Sequence, residues 1–442
     1  MKRSILYLVA LLFMGAFCCA ELSAQSIVRR SEFLCYDKRT DAEADLRGEI
    51  EKYVKFSPQV VYEGGGKVRA VYEQQIEVPA SWNDFNAYLH VENVGGEYSI
   101  FVNGVQITEP IDRFTPTDVY ISKNLEQGAN TIAVVVVDEP YMTYISESLT
   151  MPERQQFDNC YIFAQRRVGV VDYNARLLPD AENRFARLKL DIAVENSFTT
   201  NETLELGYDI YDPDGKLVDY AVNRYFIPAE SRDTITYDPY SYNSNQWRWS
   251  ATNPKLYSVM IYVKRGGVLR EYIPFKLGIA KYGYNDKGEI LLFDEPLRLV
   301  KRKYNSAATM AATESEIKKL KSQGVNCLCP EYPQPMWFYS ICDRVGMYVI
   351  DCAAISSPSK GDDRTVGGTP SNDPRLVEEY LRRVETMYRR AQNHVSIIAF
   401  SLGNASSGNG YNMYKAYELL KSYNDSRPII FEGADGEWNT DL

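Results

Sequence analysis

The chain has 442 residues, 45% hydrophobic and 24% charged, enough for about three domains of ~100–200 residues with ordinary cores, which excludes disorder over most of its length. Lys plus Arg number 49 against 59 Asp plus Glu, a net charge of −10, and no local basic patch offsets it, so no nucleic acid or anionic membrane is expected as a partner. His90 and His394 are the only two His, which leaves carboxylates, Cys and aromatics to carry any chemistry.

Lys2 and Arg3, an apolar stretch from Ile5 to Phe17, and Leu22-Ser23-Ala24 before Gln25 form the three-part pattern of a cleaved secretory signal over residues 1–24. The mature chain is expected to be exported, to a bacterial periplasm or cell surface. A lipid anchor at Cys18 or Cys19 stays open as the rival, against which the preceding Phe17 and Cys18 are not the small pair such processing favours. No other apolar run approaches the ~20 residues of a membrane span, and none is expected. Six Cys remain, at 35, 160, 327, 329, 342 and 352, too few for a disulfide scaffold. Cys327-x-Cys329 lacks the second pair a zinc site needs and is read as two strand residues facing opposite ways.

Residues 25–66 show no sustained period and read as leader and linker. Residues 67–166 read as a β sandwich of jelly-roll size: Asn103-Gly104 between Ile100-Phe101-Val102 and Val105-Gln106-Ile107 is a hairpin signal, and Thr131 to Val137 is a run suited to a strand buried on both faces. Over residues 167–280, Leu188, Leu190, Ile192 and Val194 alternate with polar residues, and Leu204, Leu206, Tyr208 and Ile210 repeat the pattern, which suits an immunoglobulin-like sandwich.

From residue 281 to 442 the pattern changes to strand then helix, the mark of a parallel α/β fold. Strands are expected at Leu297–Val300, Val325–Cys329, Met347–Ile350, Ser396–Leu402 and Ile429–Phe431. Thr313-Glu314-Ser315-Glu316 reads as a capping box opening the first helix, which Gly324 closes. Helices follow at Met336–Val345, after the Asp373-Pro374 cap, and near Tyr411–Lys421. A (β/α)8 TIM-type barrel needs eight strands and ~250 residues. This stretch writes about five, an incomplete barrel whose open edge is expected to favour self-association or a covering partner.

The C-terminal part resembles glycoside hydrolase family 2, and within it the β-galactosidases. Asn393-His394-Val395-Ser396-Ile397-Ile398-Ala399-Phe400-Ser401-Leu402-Gly403-Asn404 is similar to the family's Asn-His-Pro-Ser-Ile-Ile-x-Trp-Ser-Leu-Gly-Asn-Glu. Further matches run from Cys342 to Asp351, through Arg427-Pro428 with Phe431-Glu432-Gly433, and at Thr440-Asp441. Asn253-Pro254-Lys255-Leu256-Tyr257 resembles the end of the family's immunoglobulin-like domain. Ile76-Glu77-Val78-Pro79, Val102-Asn103-Gly104 and Gly128-Ala129-Asn130 resemble its jelly-roll, sugar-binding domain.

The resemblance implies a retaining mechanism with two carboxyl groups ~5 Å apart, yet the residues depart where that chemistry sits. The family's acid/base Glu falls on Ala405, and its nucleophile on strands past Leu442. The Mg²⁺ positions fall on Ser356, Pro358 and Ala405, so no metal or other cofactor is expected. The Asn-Arg-His-Glu run reads Lys301-Arg302-Lys303-Tyr304, a His reads Glu331, and Asp-Glu reads Asp351-Cys352. No catalytic residue is therefore assigned. Asn404, Glu331, Asp351, Trp337 and Trp438 stand as candidates for binding a glycan or oligosaccharide. A Cys329–Cys352 disulfide is left open, because neighbouring strands lie ~4.8 Å apart. The expected function is that of a β-galactosidase-like, carbohydrate-related protein lacking hydrolysis as written. Alternatives are a divergent or split β-glycosidase and a surface scaffold or binding protein.

Overall fold

Two antiparallel sheets of five strands face each other in the first sandwich. One runs, in spatial order, through Ile27–Val28, Thr117–Tyr120, Phe85–Val91, Tyr161–Arg166 and Tyr53–Lys55, and the other through Gln59–Glu63, Val68–Val78, Gly128–Val137, Glu97–Val102 and Val105–Gln106. The computed structural model describes residues 26–44, 53–151, 156–183, 185–238, 241–243, 247–358, 363–404 and 407–442, so the signal segment, with Cys18 and Cys19, lies outside the described residues. The core between the sheets holds Leu89, Val91, Ile100, Val102, Ile132 and Val134. The Asn103-Gly104 turn has φ of 51° and 81°, as a two-residue hairpin with the right twist requires. The stretch expected to be leader and linker is more structured than that: Tyr53–Lys55 and Gln59–Glu63 are strands of these sheets. Backbone pairing with Phe163 and Glu73 stabilises segments that have no hydrophobic period of their own.

The second sandwich packs Val168–Pro179, Phe185–Asn196 and Ser231–Tyr237 against a four-stranded sheet ordered Leu217–Ile227, Glu202–Tyr211, Tyr257–Arg265 and Val268–Leu277. Leu188, Leu190, Ile192 and Val194 meet Leu204, Leu206, Tyr208 and Ile210 in one core, as their alternation predicts.

This sandwich shares a compact unit with a five-stranded parallel sheet in sequence order: β1 (Lys301–Lys303), β2 (Cys327–Cys329), β3 (Tyr348–Cys352), β4 (Ile397–Ser401) and β5 (Ile429–Ile430). The connecting helices are α1 (Met310–Ser322), α2 (Met336–Val345), α3 (Val377–Ala391) and α4 (Tyr411–Ser422). On the helix side, Leu328, Val349, Ile397 and Phe400 pack on Phe338, Tyr380, Val384, Met387 and Met413. On the inner side, Cys327, Tyr348, Ile350, Ala399 and Ile430 pack with Trp249, Tyr282 and Leu292.

Three expectations are corrected here. The first strand begins at Lys301, because Leu297 and Leu299 instead reach the inner core as the chain approaches the sheet. Helix α1 is capped by Thr309, whose hydroxyl accepts from Ala312 N at 3.2 Å; Met310-Ala311-Ala312 are good helix formers and extend it upstream of the capping box. Cys327 and Cys329 face the same way, since side chains two apart on a strand share a face, and each thiol shifts the other's pKa through a hydrogen bond between them. At the edge expected to be open, Asp441 N donates to Ile429 O at 2.8 Å and Ile429 N to Asp441 Oδ2 at 2.8 Å, so Asp441 satisfies both backbone groups of Ile429 in β5. Strand β1 is exposed along its length.

Candidate active site at the strand ends

In a parallel barrel-type sheet, chemistry gathers where the strands end at their C-termini. Gly403 follows β4 there because a Cβ would lie 2.9 Å from Ile355 O and 2.9 Å from its Cβ; only a bare backbone fits. Asn404 N then donates to Ile355 O at 2.8 Å, and Ser407 Oγ to the same oxygen at 3.1 Å. The loops after β3 and β4 are thus locked together. Ala405, to which the resemblance assigns the family's acid/base Glu, lies outside the described residues; its methyl side chain carries no proton to give.

Ser356 is fully buried in this lock. Its N donates to Ile145 O at 2.6 Å, Ser148 N donates to its carbonyl at 3.3 Å, and its hydroxyl is hydrogen-bonded to that of Ser148. Pro358 is exposed and has no side-chain donor atom. A hard divalent cation takes charged oxygens, and here it would find a spent hydroxyl and a pyrrolidine ring. These residues do not fit Mg²⁺. Among the described residues, no three His, Cys, Asp or Glu side chains converge on a cation-sized point.

Glu331, just past β2, is half-exposed: Lys303 Nζ lies 3.7 Å from Oε1, Asn305 Nδ2 donates to Oε2 at 3.4 Å, and its own N donates to Asn305 Oδ1 at 2.9 Å. Asn305 joins a buried hub at Gln334, whose Oε1 accepts from Ser306 N at 2.8 Å and Ser306 Oγ at 2.9 Å. Gln334 N donates to Tyr339 OH at 2.9 Å, and that hydroxyl donates to Asp351 Oδ1 at 2.8 Å. Sequence reasoning missed Asn305, Gln334, Tyr339 and Ser148, none of which sits in a motif.

Asp351 faces the helix layer, not the inner side where Ile350 and Cys352 point. Burial pushes its carboxyl up to about 7, with the Tyr339 hydrogen bond opposing the rise. Cys352 and Cys329 carry free thiols. β2 pairs Leu328 with Val349, a register that sets Cys329 beside Ile350, so Cys352 lies two residues further on. Burial raises the Cys352 thiol to about 12, with a hydrogen bond to Ser401 opposing the rise and Asp351 adding to it. The Cys329 thiol is lowered, first by its hydrogen bond with Cys327, while burial pushes against that.

The two candidate Trp residues stand elsewhere. Trp337, at the start of α2, packs half-buried on the helix-side core. Trp438 is 56% exposed and stacks at 5.0 Å on Tyr414 of α4, edge-on to Tyr417 at 5.8 Å. It therefore belongs to the outer helical layer. His394 serves the framework: its Nδ1 lies 2.6 Å from Asp343 Oδ2, and Ser396 N donates to Asp343 Oδ1 at 2.8 Å.

Residues 303–441 match the model of the glycosyl hydrolases family 2 TIM barrel domain, and residues 170–279 match a second model of glycosyl hydrolases family 2. A β-galactosidase of Streptococcus thermophilus is 25% identical over 394 residues, which are 85% of this chain and 36% of that protein. One from Pectobacterium atrosepticum is 28% identical over 374 residues, 77% of this chain and 33% of that protein. The chain thus spans about a third of the length of these curated relatives. Among solved structures, Bacteroides uniformis β-glucuronidase 2 superposes with a TM-score of 0.67 at 18% identity, covering 82% of this chain and 46% of that one. A β-glycosidase from Bacteroides vulgatus does so at 0.65 and 17%, covering 88% and 49%. At these identities the likeness is one of fold.

Proposed function

The chain belongs to glycosyl hydrolase family 2, and we propose that it is an exported, carbohydrate-directed member whose strand ends no longer carry the family's hydrolytic apparatus. The observation that carries this reading is the Ser148–Ser356 contact. The place of a metal-binding carboxylate is taken by a buried hydroxyl that already has its partner, with Pro358 and Ala405 at the other two positions. Framework groups of the same motifs, Asp343, His394 and Gly403, keep their contacts. A chain that retains the scaffold and loses the donors is suited to holding a glycan without cleaving it. Export rests on the Lys2-Arg3 and Ile5–Phe17 pattern. Assay of the purified chain on chromogenic β-galactosides and β-glucuronides tests the reading, and turnover that follows the protein through purification contradicts it.

A second reading has one observation in its favour. Glu331 stands two residues past the end of β2 and Glu432 two residues past the end of β5, so two carboxylates follow the C-terminal ends of parallel strands, where a divergent β-glycosidase would carry its pair. Activity that falls in both Glu331→Gln and Glu432→Gln would favour it.

A further inference from the structure

Cys327-x-Cys329 places two free thiols on one face of β2. Cys327 is wholly buried in the inner-face core with Trp249, Tyr348 and Ile350, and Cys329 is part-exposed nearer the strand end. Residues two apart on a strand start about 6.6 Å apart, whereas a cation held in line between two sulfurs needs them about 4.6 Å apart, at metal–sulfur bonds of about 2.3 Å. The hydrogen bond between the two thiols shows that their side chains already lean toward each other. On the adjacent strand, Lys301 pairs with Cys327 and Lys303 with Cys329, so each thiol has an ammonium group beside it on the same face, Lys303 being shared with Glu331 at 3.7 Å. A nearby cation favours the thiolate form.

We propose that Cys327 and Cys329 form a two-coordinate site for the soft monovalent cation Cu(I). Two thiolates are the ligands that select Cu(I). Zn²⁺ takes four ligands in a tetrahedron, and among the described residues no third His, Cys, Asp or Glu converges with these two. Cys352 is displaced along β3, two residues past the position beside Cys329. A cation satisfied by two sulfurs in line therefore fits where a four-coordinate one does not. On binding, two S–H bonds break, two S–Cu bonds form and both protons pass to solvent, while the copper stays Cu(I). The resulting bis-thiolate complex carries one net negative charge, which the paired Lys301 and Lys303 offset. Cys329 is the point of entry, and the apolar surroundings of Cys327 keep water from the inner ligand. The site is independent of whether the strand ends hydrolyse a glycoside.

Titration of the full, reduced chain under nitrogen with Cu(I) as its bicinchoninate complex tests this. One equivalent of copper should pass to each chain, and X-ray absorption at the copper edge should report two sulfur neighbours and no nitrogen or oxygen. Cys327→Ser and Cys329→Ser should each abolish the transfer, while Cys342→Ser and Cys352→Ser should each keep the full equivalent. Excess Zn²⁺ should not compete. A parent chain that withdraws no copper, transfer that survives in Cys327→Ser or Cys329→Ser, loss in Cys352→Ser, displacement by Zn²⁺, or a third neighbour on the copper would each overturn the proposal. The absorption measurement uses the unaltered chain, so it decides the matter even where a Ser variant fails to fold.

Discussion

The Tyr339 hydroxyl donates to Asp351 Oδ1 at 2.8 Å where α2 meets β3, and Asp351 Oδ2 has no hydrogen-bond partner among the described residues. A buried carboxyl with one bare oxygen is stabilised by keeping its proton. Arg390 and His394 oppose this from α3 and the turn after it, yet burial outweighs them and the pKa stands at about 7.

That value makes stability pH-dependent with a defined sign. An Asp titrates near 3.9 when unfolded, so the folded protein binds this proton more tightly. The contribution is fully present below about pH 4 and is lost as pH rises through about 7. Asp351→Asn keeps an acceptor for Tyr339 and does not titrate. Its urea midpoint should gain on the parent's as pH rises across that window, and curves that stay parallel would refute the assignment.

Asp343 binds His394 Nδ1 at 2.6 Å and Ser396 N at 2.8 Å while buried. Asp343→Ala strands both groups and should cost about 3 kcal/mol of unfolding free energy. A loss under about 0.5 kcal/mol in chemical denaturation would show that the motif does not hold β4 in place.

The thiols of Cys329 and Cys352 are free and offset by the strand register. Alkylation in denaturant without reductant, followed by peptide mapping, should find both modified. A linked peptide pair would contradict the register.

Because Ser356 and Pro358 offer no charged oxygen, millimolar Mg²⁺ or a chelator should leave the melting temperature unchanged. A ligand that binds the folded state raises it, so a rise of several degrees with Mg²⁺ would mean that other residues supply the donors.

Much of the architecture was legible because it rests on local periodicity. Leu188 to Val194 alternate with polar residues on one strand, and Met336–Val345 is bounded by Pro335 and Gly346, whose φ of 77° suits a helix end. Asp351 was legible in principle: with Tyr348, Ile350 and Cys352 on the inner face, the residue between the last two must point to the helices. Ser148 was not, since it reaches Ser356 across 208 residues of sequence and no local pattern encodes that meeting. The strand Lys301–Lys303 carries three charged residues, so propensity pointed to the apolar run before it, and only pairing with Cys327–Cys329 defines it.

On the function proposed above, the strand ends lack the donors of hydrolysis, and turnover of p-nitrophenyl β-galactoside is the measurement that tests this. The purified chain should show none above background, and Ala405→Glu should not restore it, because an acid returned alone would still have Ser356 and Pro358 where the resemblance puts the family's metal ligands, and groups that act as a unit contribute non-additively. Hydrolysis that follows the chain through a further purification step, or that appears in Ala405→Glu, would contradict the account.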